Sequence, residues 1–397
     1  MTRTPIYCDY NAGAPLRAEA AVAMARAMAQ AGNASSVHSF GRRARAQIED
    51  AREKIGAGVG AAAENVVFTS GASEALQLVL ETFDAYSRVK RPPPPAFIVG
   101  EGQNFAPDPE PSLIVAECEH DAVFEAGLRR DMLRAPLDKD GVVHLGILEG
   151  VLREAPKPAL LALQLANNET GVIQPIAKVA ALCREHGALL LVDAAQAFGR
   201  IPVDIADLDA TYLVVSSHKL GGPTGVGALI LAPGAPFVTT RFGGGQERGR
   251  RPGTENAGAI VGFGVAVEWA LRDLADESAR VAALRDRFEA GLPGDAVVIG
   301  ADVKRLPNTS NFALPGLAAE TAVIAMDIEG VAISSGAACS SGKVRSSRVL
   351  AAMGVEAALA KAALRVSFGH ESRESDVDEA LNALAKITAR RAQGAAA

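Results

Sequence analysis

The chain has 397 residues, 49% of them apolar and 22% charged, with a formal net charge of −6. That length suits two or three domains with a large core that needs no disulfide or metal. The acidic balance argues against nucleic acid, no run reaches the ~18 apolar residues of a membrane span, and Met1-Thr2-Arg3-Thr4-Pro5 is no apolar signal region, so a cytoplasmic protein is expected.

In chain order, residues 19–30 and 43–55 predict helices, being rich in Ala, Arg, Gln and Glu. Residues 66–69 predict a short strand ending at Ser70-Gly71. Residues 73–83 predict a helix with Leu76, Val79, Leu80 and Phe83 on one stripe. Seven prolines between residues 88 and 112 (Pro92 to Pro95, Pro107, Pro109 and Pro111) forbid a helix or central strand and predict a surface insertion. Apolar strands follow at 113–115, 159–165, 188–192, 212–215 and 226–231, with a helix at 177–186 closed by Gly187. Strands without polar alternation, separated by helices, predict an α/β fold whose mostly parallel sheet is covered on both faces. Beyond residue 265 the pattern changes to a helical stretch at 265–288, strands at 296–299 and 310–312 and a helix at 376–390, which predicts a smaller α+β domain.

Several strand ends carry polar residues. Asp193 ends an apolar strand, where open α/β sheets bind ligands, and Gln196 follows it. Lys219 lies past another strand end, between Ser216-Ser217-His218 and Leu220-Gly221-Gly222. It is either an exposed loop residue or a lysine held for covalent chemistry. Ser70-Gly71-Ala72-Ser73 opens a helix and is either an ordinary cap or an anion site. His120 and the turn Asn167-Asn168-Glu169-Thr170-Gly171 also follow strands and can be structural. The glycine-rich run 243–251 is either a solvated loop or an arginine clamp on an anion. Residues 336–343 miss the P-loop spacing, and no G-x-G-x-x-G follows a strand.

There are four cysteines and no C-x-x-C pair, which argues against a metal or redox motif. Cys8, Cys118 and Cys183 have apolar neighbours and read as buried hydrophobes. Cys339 sits among Ser, Ala and Gly, where a thiol suits nucleophilic use.

As an ordered set, these segments resemble the cysteine desulfurases of the class-V aminotransferase group, fold-type I pyridoxal-phosphate enzymes. The resemblance runs from Asp9-Tyr10-Asn11-Ala12 to Leu364-Arg365-Val366-Ser367-Phe368-Gly369. It passes through Gly32 to His38, Phe68 to Glu74, Glu119-His120, Ala166 to Gly171, Asp193 to Gln196, Ser217-His218-Lys219, Gly245 to Arg248, Gly253-Thr254-Glu255-Asn256 and Ser334 to Gly342. It implies a seven-stranded sheet in a large domain, 15–264, and a small domain from 1–14 and 265–397 that carries the Cys339 loop.

The resemblance also implies roles for single residues. Lys219 would hold pyridoxal 5′-phosphate covalently and move protons. Asp193 would pair with the ring nitrogen, Gln196 with the ring hydroxyl, and His120 would stack on the ring. Ala72, Ser73, Ser216 and His218 would hold the phosphate, with Thr254 arriving from the second subunit of a homodimer. Asn168 and Arg365 would fix the carboxylate of L-cysteine, with Asn33 a further substrate contact. Cys339 would take the sulfur, release alanine and pass a persulfide to an acceptor such as an iron–sulfur scaffold protein. No metal is implied. The chain departs from the family pattern at Gly13 and Ala14, Ser73, Ala34 and the Pro-rich segment. A selenocysteine lyase and a class-V aminotransferase share the implied fold and cofactor. A non-catalytic scaffold for iron–sulfur assembly would need neither Lys219 nor Cys339.

Overall fold

The computed structural model describes residues 5–90, 111–336 and 347–395. Its central sheet has seven strands in the spatial order Val66–Thr69, Gly227–Leu231, Tyr212–Ser216, Ala188–Asp193, Ala159–Gln164, Ser112–Ala116 and Leu133–Ala135. Gly227–Leu231 runs antiparallel to both neighbours, and every other pairing is parallel. Successive side chains enter opposite cores, as the two-residue period of a strand requires. Leu161, Leu163, Val192, Leu213 and Val215 join one core, while Leu160, Ala162, Leu191, Tyr212 and Val214 join the other. Both faces are therefore buried, which is why these strands read as unbroken apolar runs.

A second sheet is antiparallel, in the order Ser334–Ser335, Ala363–Ser367, Thr309–Ala313 and Val297–Val298. Its separate core contains Phe288, Phe312, Phe368, Val377 and Leu384. Phe288 meets Phe312 and Phe368 edge-on, with ring centroids 5.4 and 6.0 Å apart. Ile6–Tyr7 pairs in parallel with Val331–Ala332, and Asp9 bridges to Ser367. This pairing lays residues 9–12 beside the strand that carries Arg365.

Some predicted elements change. The helix Ala72–Lys90 extends through Arg88, and Ser112 already belongs to a strand, so the irregular segment is shorter than 88–112. Residues 91–110, with all but one of its prolines, lie outside the described residues. The stretch 265–288 is two helices, Ala257–Arg272 and Leu274–Ala290, broken at Asp273 with φ −120° and ψ 28°. Ile260, Phe263, Ala266, Val267 and Ala270 of the first helix pack in the large core. Among the described residues no helix is long and apolar enough to cross a membrane.

Candidate active site

Four parallel strands, Ser112–Ala116, Ala159–Gln164, Ala188–Asp193 and Tyr212–Ser216, open at their C-terminal ends into one cleft of about 610 Å³. His120, Asn168, Asp193 and Lys219 all line it. The register places Gln164 beside Asp193 and Asp193 beside Val214, so the strand ends that deliver these groups are neighbours.

Asp193 is 7% exposed, and its Oδ1 accepts from the Ala195 amide at 2.9 Å. Burial raises its pKa, against the pull of that amide and of the His120 and Lys219 charges. Lys219 Nζ donates to the Ala12 carbonyl at 3.0 Å and to the Asn11 carbonyl. Gln196 Nε2 donates to Asn11 O at 2.9 Å. The N-terminal segment thus closes one side of the cleft through backbone carbonyls.

Sequence reasoning missed the group that holds this wall together. Buried Arg200 donates to the carbonyls of Tyr10 at 3.0 Å, Lys219 at 3.2 Å and Gln196 at 3.1 Å, and also to Gln196 Oε1. Burial and the nearby Arg365 push its pKa down to about 9. In the run Phe198-Gly199-Arg200-Ile201 it carries no local sign of burial.

His120 caps the helix Asp121–Leu128, its Nδ1 accepting from the Ala122 amide at 3.0 Å. That bond makes Nδ1 the ring's acceptor and leaves Nε2 as the nitrogen that faces other partners. Glu119 beside it is buried. Its Oε1 accepts from the Gln164 amide, and Oε2 has no partner among the described residues. Burial, then the Asp193 charge, raises its carboxyl well above the ordinary range.

Opposite, Ser70-Gly71-Ala72-Ser73 presents the N-terminus of Ala72–Lys90 to the cleft. A Cβ on Gly227 would lie 2.8 Å from the carbonyl carbon of Gly71, so only glycine lets the antiparallel strand pass this close to the turn. Ser216 Oγ and His218 Nδ1, also at the cleft, are 3.0 Å apart. Burial, then Lys219 and Arg200, pushes His218 down to about 4, leaving it neutral at pH 7. At the far wall Arg365, 1% exposed, donates to Asn168 O at 2.9 Å and to Asp9 Oδ1 at 2.6 Å, while its Nε has no partner among the described residues. A helix N-terminus with small residues, a buried carboxylate, a primary amine and an unfilled guanidinium donor suit a phosphorylated cofactor with a basic ring nitrogen and a substrate carboxylate.

The structure brings Ala72, Ser73, His120, Asn168, Asp193, Gln196, Ser216, His218, Lys219 and Arg365 to this cleft. Asn33 and Thr254 are exposed and do not line it. Cys339 lies outside the described residues. The other three cysteines are buried, and burial pushes each thiol up to about 12, as suits structural residues. The arginines of 243–251 form no anion clamp, because protein carboxylates and carbonyls already occupy them. Arg251 holds Glu74, Arg248 faces Glu49 at 3.6 Å, and Arg250 donates to Glu64 O. Burial alone would raise Glu74, but Arg251 and the Ser70 amide bring it down to about 2.

The family model described as aminotransferase class-V matches residues 6–91 and 97–380. The chain belongs to that family. It is 37% identical, over 98% of both chains, to an "IscS-like cysteine desulfurase" of Mycobacterium tuberculosis, and 34% identical, over 96% of this chain and 94% of the relative, to "Cysteine desulfurase IscS" of Dictyoglomus turgidum. Among solved structures, a NifS-like protein from Rickettsia africae superposes with a TM-score of 0.85 at 27% identity, covering 97% of this chain and 99% of the other. A structure described as SspA in complex with cysteine superposes at 0.76 with 26% identity, covering 92% of this chain and 99% of that one.

Proposed function

We propose that the protein is a pyridoxal-phosphate-dependent cysteine desulfurase. It converts L-cysteine to L-alanine and moves the sulfur to Cys339 as a persulfide. The observation that carries this reading is the convergence of Lys219, Asp193, His120 and Arg365 on one cleft. Relatives named as cysteine desulfurases, matching nearly the whole chain, support it.

When bound, pyridoxal phosphate supplies the electron sink that weakens bonds at the substrate's α-carbon. The chain's own residues do the rest. The first turn of Ala72–Lys90, with Ser73, Ser216 and neutral His218, binds the phosphate. Asp193 would pair with the ring nitrogen and keep it protonated. Gln196 would hydrogen-bond the ring hydroxyl. Lys219 Nζ is the covalent attachment point and carries protons to and from substrate carbon. His120 would stack on the ring, with Nε2 free to exchange a hydrogen bond with substrate. Arg365 and Asn168 orient the carboxylate. The substrate's carbon–sulfur bond breaks as the Cys339 thiolate bonds to that sulfur, and a proton takes the sulfur's place on carbon. Cysteine plus thiol equals alanine plus persulfide, with no outside oxidant.

The active unit in this reading is a homodimer with shared sites. Exposed Leu16, Val22 and Met28 supply an apolar face for it, and Asn33 and Thr254 then serve the neighbouring subunit. In this reading residues 15–264 form the large cofactor-binding domain, and 1–14 with 265–397 form the small one. The persulfide passes to a sulfur acceptor of the iron–sulfur scaffold class in the cytoplasm. Incubation of the purified protein with L-cysteine tests the reaction. Equal amounts of alanine and transferable sulfur are expected. An amino-group product without sulfur release would instead mark an aminotransferase.

A further inference from the structure

Glu247 and Arg248 both take left-handed backbone, with φ 48° and 58°. Residues with a Cβ hold that conformation only where their surroundings enforce it. Here the enforcement is a buried ion pair. Glu247 accepts from Arg52 Nη1 at 2.7 Å and Nη2 at 2.9 Å, and from the Phe68 amide at 2.8 Å. The two side chains are 2% and 5% exposed, and the Arg52 guanidinium lies 4.6 Å from the Phe68 ring centre. A second hold follows along the chain. Arg251 donates from Nε and Nη2 to Glu74 at 3.0 and 3.1 Å, and Glu74 also accepts from the Ser70 amide at 2.6 Å. Beyond Pro252-Gly253 stands Thr254, exposed and absent from its own subunit's cleft. Much binding energy thus fixes a surface arm whose tip, Thr254, stays out of the cleft of its own chain.

We infer that Glu247 and Arg251 are positioning residues that aim Thr254 of one subunit at the cofactor phosphate of the other. This rests on the proposed dimer with shared sites. The competing role is local, since Phe68 and Ser70 also lead into the phosphate turn of the same chain. The two roles differ in which site of the dimer suffers.

Differently tagged subunits distinguish them. The apo dimers are titrated with pyridoxal phosphate, and the cofactor fixed to Lys219 by borohydride is measured alongside alanine formation. The Glu247→Gln homodimer should need about tenfold more cofactor or higher, the effect of losing one charged hydrogen-bond set. In a hybrid of Glu247→Gln with Lys219→Ala, the site that keeps Lys219 receives an intact arm. Its cofactor affinity should return to the wild-type value, with about half the wild-type activity. In the reverse hybrid, with both substitutions on one subunit, the remaining site should stay weak. An unchanged Glu247→Gln homodimer, or a first hybrid as weak as that homodimer, overturns the inference. If Glu247→Gln does not fold, Arg251→Ala, at a side chain 25% exposed, takes its place in the same three measurements. A parallel hybrid of Thr254→Ala with Lys219→Ala separates the two levels. If that one also fails to recover, the shared-site reading itself falls.

Discussion

Arg365 and Asp9 form an ion pair at 2.6 Å, and the other oxygen of Asp9 accepts from Ser334 Oγ at 2.9 Å. One carboxylate therefore fixes the guanidinium in the cleft wall and also the end of the chain that leads into the Cys339 segment. Arg365 is pre-aimed, so little ordering remains when a substrate carboxylate arrives. Arg365→Lys keeps a charge but not the planar fork. The expected effect is a rise of roughly 10–100-fold in KM for cysteine, from the loss of a charged hydrogen bond of about 1.5–3 kcal/mol. Steady-state kinetics measures it, and an unchanged KM would place the carboxylate elsewhere.

His120 has two duties that substitution can separate. As a helix cap it accepts the Ala122 amide, and as a ring it lines the cleft. Asparagine caps well, whereas alanine costs about 1 kcal/mol at such a position. His120→Asn should therefore melt near the wild type, and His120→Ala should melt lower. Both should lose most of their turnover. Thermal melts alongside alanine release check this, and retained turnover in His120→Asn would reduce the residue to a cap.

Glu169 sits behind Asn168 and accepts from the Ser347 hydroxyl. Burial raises its carboxyl to about 7 against the pull of Ser347, Arg365 and Arg348. Between the ordinary carboxylate range and pH 7 the folded chain therefore binds a proton that the unfolded chain does not. This contribution to stability is complete below about pH 4.5 and disappears as pH rises through 7. Glu169→Gln should flatten that slope and gain at most about 3 kcal/mol over the wild type at pH 8. Urea melts at pH 5 and pH 8 give the comparison. A parallel loss in both proteins would show that Glu169 is ionised throughout.

Much of the sheet was legible because burial on both faces removes polar alternation, as in Ala188–Asp193 and Tyr212–Ser216. The reversal of Gly227–Leu231 was not, since an apolar run carries no sign of its direction. The edge strand Leu133–Ala135 has only three residues, with Leu133 and Arg134 exposed, and gives no pattern. The start of Ala257–Arg272 was hidden because Ala-Gly-Ala-Ile-Val-Gly-Phe-Gly is apolar all round. Asp193 and Lys219 drew attention through their places at strand ends. Arg365, and the role of Asn168 in its polar turn, came only from the resemblance. Arg200, and the pair Arg52 with Glu247, act through partners far away in sequence, which no local pattern encodes.

Lys219 should be the sole site of cofactor attachment. Borohydride treatment of the purified protein followed by peptide mapping should place the fixed cofactor on the Ser217-His218-Lys219 peptide. Lys219→Ala should yield no such peptide. A mapped adduct on another lysine would remove Lys219 from its assigned role.

The most direct measurement is a single turnover with sulfur-labelled L-cysteine, read by peptide mapping without reductant. One alanine should form per active site, with the label on the Cys339 peptide, while Cys339→Ala should bind the cofactor and form almost no alanine. Full alanine formation by Cys339→Ala, or label that never reaches Cys339, would contradict sulfur transfer through this thiol.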